Sequence, residues 1–161
     1  MEIPVSASGD YSVSVRRAAP RAIAAVPARL PVARVPALFK SYLDQVYAAA
    51  RGGAISLDGQ NIFVYRDAGE AGVADIEFGV GITKPFDAVG PVRPSELPVG
   101  EVATTTHWRD YKLGGAHEAV IAWCWEHGRA LTGTRWEVYG HWSDDASKVR
   151  TDVYYLLESS A

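Results

Sequence analysis

The chain has 161 residues, 48% of them hydrophobic and 22% charged, with a formal net charge of −3. This is the balance of one soluble globular domain with a full core, and it excludes a disordered or fibrous chain. The acidic balance disfavours nucleic acid as the main partner, because phosphate binding needs a basic face.

No apolar run approaches the roughly 20 residues that cross a bilayer, so no membrane partner is expected. The N-terminus has no apolar segment of the secretory type. Cys124 is the lone cysteine, which rules out an internal disulfide and points to a reducing, cytoplasmic compartment. Arg16, Arg17, Arg21, Arg29 and Arg34 make the first part of the chain locally basic and read as solvated strand and loop positions.

In chain order, Tyr11 to Arg16 alternates as a first strand, and Ala22 to Val26 is a short apolar second one. Pro27 and Pro31 are expected to hold the following residues in an extended or looped form. Pro36 fits the first turn of a helix whose stripe is Phe39, Leu43, Val46 and Ala50, and Gly52-Gly53 stops it. Asn61 to Arg66 and Asp75 to Ile82 read as a hairpin, and the proline-rich stretch Pro85 to Pro98 as a linker.

Glu101 to Trp108 is the next strand, rich in β-formers. A second helix is expected from Gly114-Gly115 to about His127, striped by Ala116, Val120, Trp123 and His127, with Gly128 as its stop. Trp136-Glu137-Val138-Tyr139-Gly140 is a strand between two turn-forming segments, and Val149 to Leu157 closes the chain.

The two halves resemble each other, each running strand, helix, strand, hairpin partner. Asn61-Ile62-Phe63-Val64-Tyr65 aligns with Arg135-Trp136-Glu137-Val138-Tyr139, which sets Tyr65 on Tyr139 and Phe63 on Glu137. The expected architecture is α+β: a single domain over residues 1–161 made of two repeats, at about 11–84 and 99–158. Each repeat would form an antiparallel sheet with a helix on it, Ile62, Val64, Trp136 and Val138 facing the helices, and a central pocket between the halves.

No nucleophile elbow and no phosphate-cradling loop is present, and the Gly79-Val80-Gly81 run lies inside a strand with no third glycine before a helix. Cys124 and His127 lie three apart on a helix, too few for a metal site, and no cofactor is expected. His107, His117 and His141 have no supporting spacing. What remains is Glu137 among aromatic residues. Alternation puts Glu137 and Tyr139 on one face, Phe63 and Tyr65 share it through the repeat, and Trp108, Tyr111, Trp123 and Tyr154 are candidate neighbours. Ring faces attract cations and a carboxylate completes such a site.

At Trp136-Glu137-Val138-Tyr139, the acidic turn after it, and Thr151-Asp152-Val153-Tyr154, the sequence resembles the GyrI-like small-molecule-binding family, which includes effector domains of multidrug-responsive regulators. The resemblance implies a tandem pair of α+β units with an aromatic pocket, and Glu137 takes the place of the family's pocket glutamate. It implies a hydrophobic or cationic small molecule as the partner. It also implies an alternative, hydrolysis of strained cyclopropane-containing toxins by the same glutamate; a second acid facing Glu137 would favour it, and Glu77 and Asp152 are the candidates, each expected to be solvated. Too few residues precede Tyr11 for a helix-turn-helix, so a free-standing binding protein is expected, without direct nucleic-acid contact and with a protein partner left open.

Overall fold

The structure, a computed structural model, describes residues 11–109, 113–141 and 143–159. Its elements in chain order are β1 (Ser14–Ala18), β2 (Ala22–Pro31), α1 (Val35–Arg51), β3 (Leu57–Asp67), β4 (Val73–Ile82), β5 (Arg93–Glu96), β6 (Gly100–Trp108), α2 (Gly114–Glu126), β7 (Leu131–Tyr139) and β8 (Arg150–Leu157). The class is α+β with antiparallel strand pairing, as expected. No described helix is long and apolar enough to cross a membrane.

The chain forms two compact units. One spans Pro20–Pro98, with strand order β3-β4-β2-β5 and α1 packed on β2 and β4. The other combines the chain before Pro20 with that from Val99 on, with order β7-β8-β6-β1 and α2 packed on β6 and β8. In each unit a strand, helix, strand and hairpin partner follow one another (β2, α1, β3, β4 and β6, α2, β7, β8), and the last strand lies between the first two. β1 pairs with β6, so this early strand belongs with the later part of the chain.

Both helices form where periodicity places them. α1 carries proline in its first turn, buries Val35, Leu43 and Val46, and ends at Gly52, with Gly53 at φ 88° beyond it. α2 buries Ala116, Ala119, Val120 and Cys124 and stops before Gly128 at φ 65°.

Three expectations are corrected. β2 does not end at Val26: of the two forms expected after Pro27 the chain takes the extended one and continues to Pro31, with Pro27 opposite Glu77 and Pro31 opposite Val73 on β4. β5 covers only Ala22 to Ala25, and the N–H groups of alternate residues point to opposite strand edges. Pro27 and Pro31 share parity, so their missing donors fall on the side β5 leaves open. Within the supposed linker, Arg93–Glu96 forms β5, a short strand holding Pro94, which an outermost strand tolerates.

The third correction concerns sheet faces. Phe63 meets Phe39 of α1 at 5.8 Å between ring centroids, and Phe78 stacks on Tyr42 of α1 at 4.8 Å. The helix-facing residues of β3 are therefore Phe63 and its alternates, with Ile62 and Val64 on the opposite face. The same holds in the other unit, where Glu137 faces α2, and Trp136 and Val138 face away. All four aliphatic and indole side chains are still fully buried or nearly so. Both faces of β3 and β7 are covered, so hydrophobicity could not tell which one the helix takes.

Candidate functional site

The site grows from the α2-facing side of β6, β7 and β8. Val153, Tyr155 and Leu157 of β8 pack with Ala103 of β6 and with Ala116, Val120 and Cys124 of α2. Cross-strand register extends that face in three rows: Ala103–Tyr155–Arg135, Thr105–Val153–Glu137 and His107–Thr151–Tyr139. Among the described residues, the buried polar ones are Thr104, Thr105, His107, Glu137 and Thr151, and all but Thr104 lie on this face. Burial of polar groups costs free energy unless they are hydrogen-bonded, so this concentration sets the face apart from an all-apolar core.

Glu137 is 5% exposed. His117 of α2 places Nε2 at 2.7 Å from Glu137 Oε2, and the Tyr139 hydroxyl donates to Oε1 at 2.5 Å. On its other side, His117 Nδ1 lies 2.6 Å from the Tyr155 hydroxyl. An ionised carboxylate only accepts, so wherever Glu137 is ionised Nε2 is the donor of this bond. A continuous chain results: Tyr155, His117, Glu137, Tyr139. Beside it, buried His107 hydrogen-bonds the Tyr11 hydroxyl through Nδ1 at 2.7 Å, and Thr105 Oγ1 donates to the Ser12 carbonyl at 2.8 Å. Chemically, the arrangement offers a buried carboxylate with an imidazole and a phenol hydrogen-bonded to it.

Of the residues singled out in the sequence, Tyr139 joins Glu137. Tyr154 stacks on Trp136 at 5.4 Å, on the face opposite Glu137. Trp108 shares that opposite parity; it is half exposed, with the Arg150 guanidinium 5.4 Å from its ring centre. Trp123 packs against the core beneath α2 and stacks on His127 at 4.0 Å. Phe63 and Tyr65 are buried in the Pro20–Pro98 unit, and Tyr111 lies outside the described residues.

The proposed second acids are engaged elsewhere. Glu77 accepts from Arg66 at 2.9 Å and Ser95 at 2.6 Å. Asp152 accepts from Thr106 at 2.8 Å and Arg150 at 2.9 Å, on the face away from Glu137. The group that does face Glu137 is His117, which sequence spacing passed over. Its signal was present: Leu113, Ala116, His117, Val120 and Cys124 fall on one helical stripe, so His117 sits inside the buried face.

Cys124 and His127 do not act together, because His127 Nδ1 donates to the Trp123 carbonyl at 2.8 Å, and burial pushes the Cys124 thiol above its usual pKa. No group of three or more His, Cys, Asp and Glu side chains converges as a metal site among the described residues. Two surface hollows large enough for a small ligand, of about 640 and 690 Å³, lie away from Glu137. One is lined by residues that include Phe86 and Glu96, the other by residues that include Glu101 and Glu158.

The fold defines a class. The chain matches the C-terminal domain of EcmrR at a TM-score of 0.73 and 18% identity, over 92% of this chain and 98% of that one. It spans 58% of the EcmrR chain in the EcmrR–DNA complex. It matches SAV2435 bound to tetraphenylphosphonium at 0.68 and 11%, over 92% and 94% of the two chains. A hydrolase from Listeria innocua matches at 0.59 and 8%, over 91% of each chain. No protein-family model matches the sequence, and no curated protein matches it. At these identities the likeness concerns the fold, and that fold is the GyrI-like one.

Proposed function

We propose that this protein binds lipophilic, cationic small molecules, with Glu137 as the counter-charge. The observation that carries the reading is a carboxylate buried to 5% exposure and held between Tyr139 and His117 on a face of buried polar groups. A buried charge is expensive to maintain without a role, and aromatic hydroxyls with a carboxylate suit a desolvated cation. The GyrI-like fold is also that of SAV2435, whose structure holds the lipophilic cation tetraphenylphosphonium.

The test is a tryptophan-fluorescence titration with tetraphenylphosphonium and with neutral triphenylphosphine oxide. Glu137→Gln is expected to weaken the cation by about 1–3 kcal/mol and leave the neutral compound nearly unaffected. Equal effects on the two ligands would remove Glu137 as the cation's partner. Turnover of a cyclopropane-bearing compound by the parent protein would move the reading to a hydrolase.

A further inference from the structure

We propose that His117 determines the specificity of the Glu137 site: its imidazolium is the resident counter-charge, and a cationic ligand replaces it by driving off its proton. The site then exchanges one proton for one cation. This rests on the reading that Glu137 receives the cation, and adds to it the group that gives way.

The geometry supports the exchange at both ends of the ring. His117 Nε2 is 2.7 Å from Glu137 Oε2, and the two side chains are 19% and 7% exposed, so little solvent screens them. With no ligand, a protonated His117 leaves the buried pair neutral overall. A cation placed against the same carboxylate would be a second positive charge beside the imidazolium, in surroundings where like charges repel strongly.

Losing the proton need not cost a hydrogen bond. Nε2 keeps its hydrogen toward Glu137 in either state. Nδ1 faces the Tyr155 hydroxyl at 2.6 Å, and a phenol can accept from Nδ1–H or turn and donate to a bare Nδ1. A carbonyl or carboxylate in place of Tyr155 would lock Nδ1 in one state. Tyr155 is therefore what makes the ring a reversible proton holder.

Other titratable or charged groups belong to the same surroundings. β7 contributes Arg135 and Tyr139 on this face, and β8 contributes Tyr155. β6 contributes His107, which Tyr11 engages. On α2 itself Cys124 is buried and Glu118 is exposed. Of these, His107 is the other imidazole on this face, and its Nδ1 meets the Tyr11 hydroxyl at 2.7 Å, so a variant at His117 separates the two.

The experiment is isothermal titration calorimetry of the full chain with tetraphenylphosphonium at about pH 6, in two buffers of different ionisation enthalpy. The expected result is proton release on cation binding, up to one proton per cation, with affinity rising as pH rises, by at most about tenfold per pH unit. Triphenylphosphine oxide should release none. His117→Gln, whose amide can still reach Glu137, should bind the cation with a changed affinity that no longer varies with pH and with no proton release. Near-UV circular dichroism matching the parent checks its fold.

Cation binding with identical heats in both buffers overturns the exchange and leaves the binding reading standing. Proton release that persists in His117→Gln assigns the proton to another group and overturns it too. No binding of tetraphenylphosphonium at millimolar concentration by the parent overturns both readings.

Discussion

A buried carboxylate needs a donor for each oxygen, and Glu137 has His117 on one and Tyr139 on the other. Either donor left alone would cost about 1–3 kcal/mol in unmet hydrogen bonding. The neighbouring thiol shows the opposite treatment. Cys124 is 1% exposed in the cluster with Tyr155 and Val120, and burial raises its pKa against a smaller lowering influence of Arg129. The thiolate, not the thiol, is the nucleophile, so the folded protein should react slowly with a disulfide reagent such as DTNB at mildly alkaline pH. Reaction is expected to speed up with urea along the unfolding curve. Rapid stoichiometric labelling of the native protein would show that Cys124 is reachable without unfolding.

Elements were legible in the sequence where their signal was local. Both helices, the two strands with the strongest alternation and the glycine stops are all readable from spacing. What was not legible needed a partner strand or a covering layer. β5 has no hydrophobic signature and exists because β2 offers Ala22 to Ala25 an edge. The helix-facing side of β3 and β7 could not be read because both faces are buried. For the same reason Tyr139 was found beside Glu137 by alternation, while His117, 20 residues away in the chain, needed the helix to be docked. The Gly79-Val80-Gly81 run, unexplained by any motif, has a packing cause. A methyl on Gly79 would sit 2.9 Å from Ile23 Cδ1 and 3.2 Å from the carbonyl oxygens of Ala24 and Ile62, inside a fully paired strand. Gly79→Ala is expected to cost about 1–3 kcal/mol through overpacking, read as a lower urea midpoint at unchanged slope. An unchanged midpoint would mean that β2 and β3 yield freely at this position.

At the scale of the whole molecule, the two units match in more than strand order. In sequence, Leu57-Asp58-Gly59-Gln60-Asn61-Ile62-Phe63-Val64-Tyr65 aligns with Leu131-Thr132-Gly133-Thr134-Arg135-Trp136-Glu137-Val138-Tyr139. Each segment has a register shift at its start, between Leu57 and Asn61 and between Leu131 and Arg135. Each holds a glycine at positive φ there, Gly59 at 86° and Gly133 at 94°, a conformation that bulges favour glycine to adopt. The matched helix-to-strand contact differs only in chemistry. In one unit Phe39 meets Phe63, and in the other His117 meets Glu137. The same scaffold position thus holds an apolar ring pair in one unit and a hydrogen-bonded carboxylate in the other, and the helix residue is expected to set which is stable. Phe63→Glu tests this. Phe63 is 4% exposed, with the rings of Phe39 and Phe78 against it, so a carboxylate there would be desolvated among apolar groups. The expected loss is on the order of 3–5 kcal/mol at neutral pH. Burial raises a carboxyl pKa, so the folded state binds more protons than the unfolded state between the two pKa values. The loss should therefore shrink as pH falls and grow as pH rises through that window. Adding Phe39→His supplies the partner that His117 provides for Glu137, and a double-mutant cycle is expected to return about 0.5–3 kcal/mol of coupling. Chemical denaturation of the four variants measures it. Additive losses would show that the Glu137 pair depends on more of its surroundings than the one helix residue.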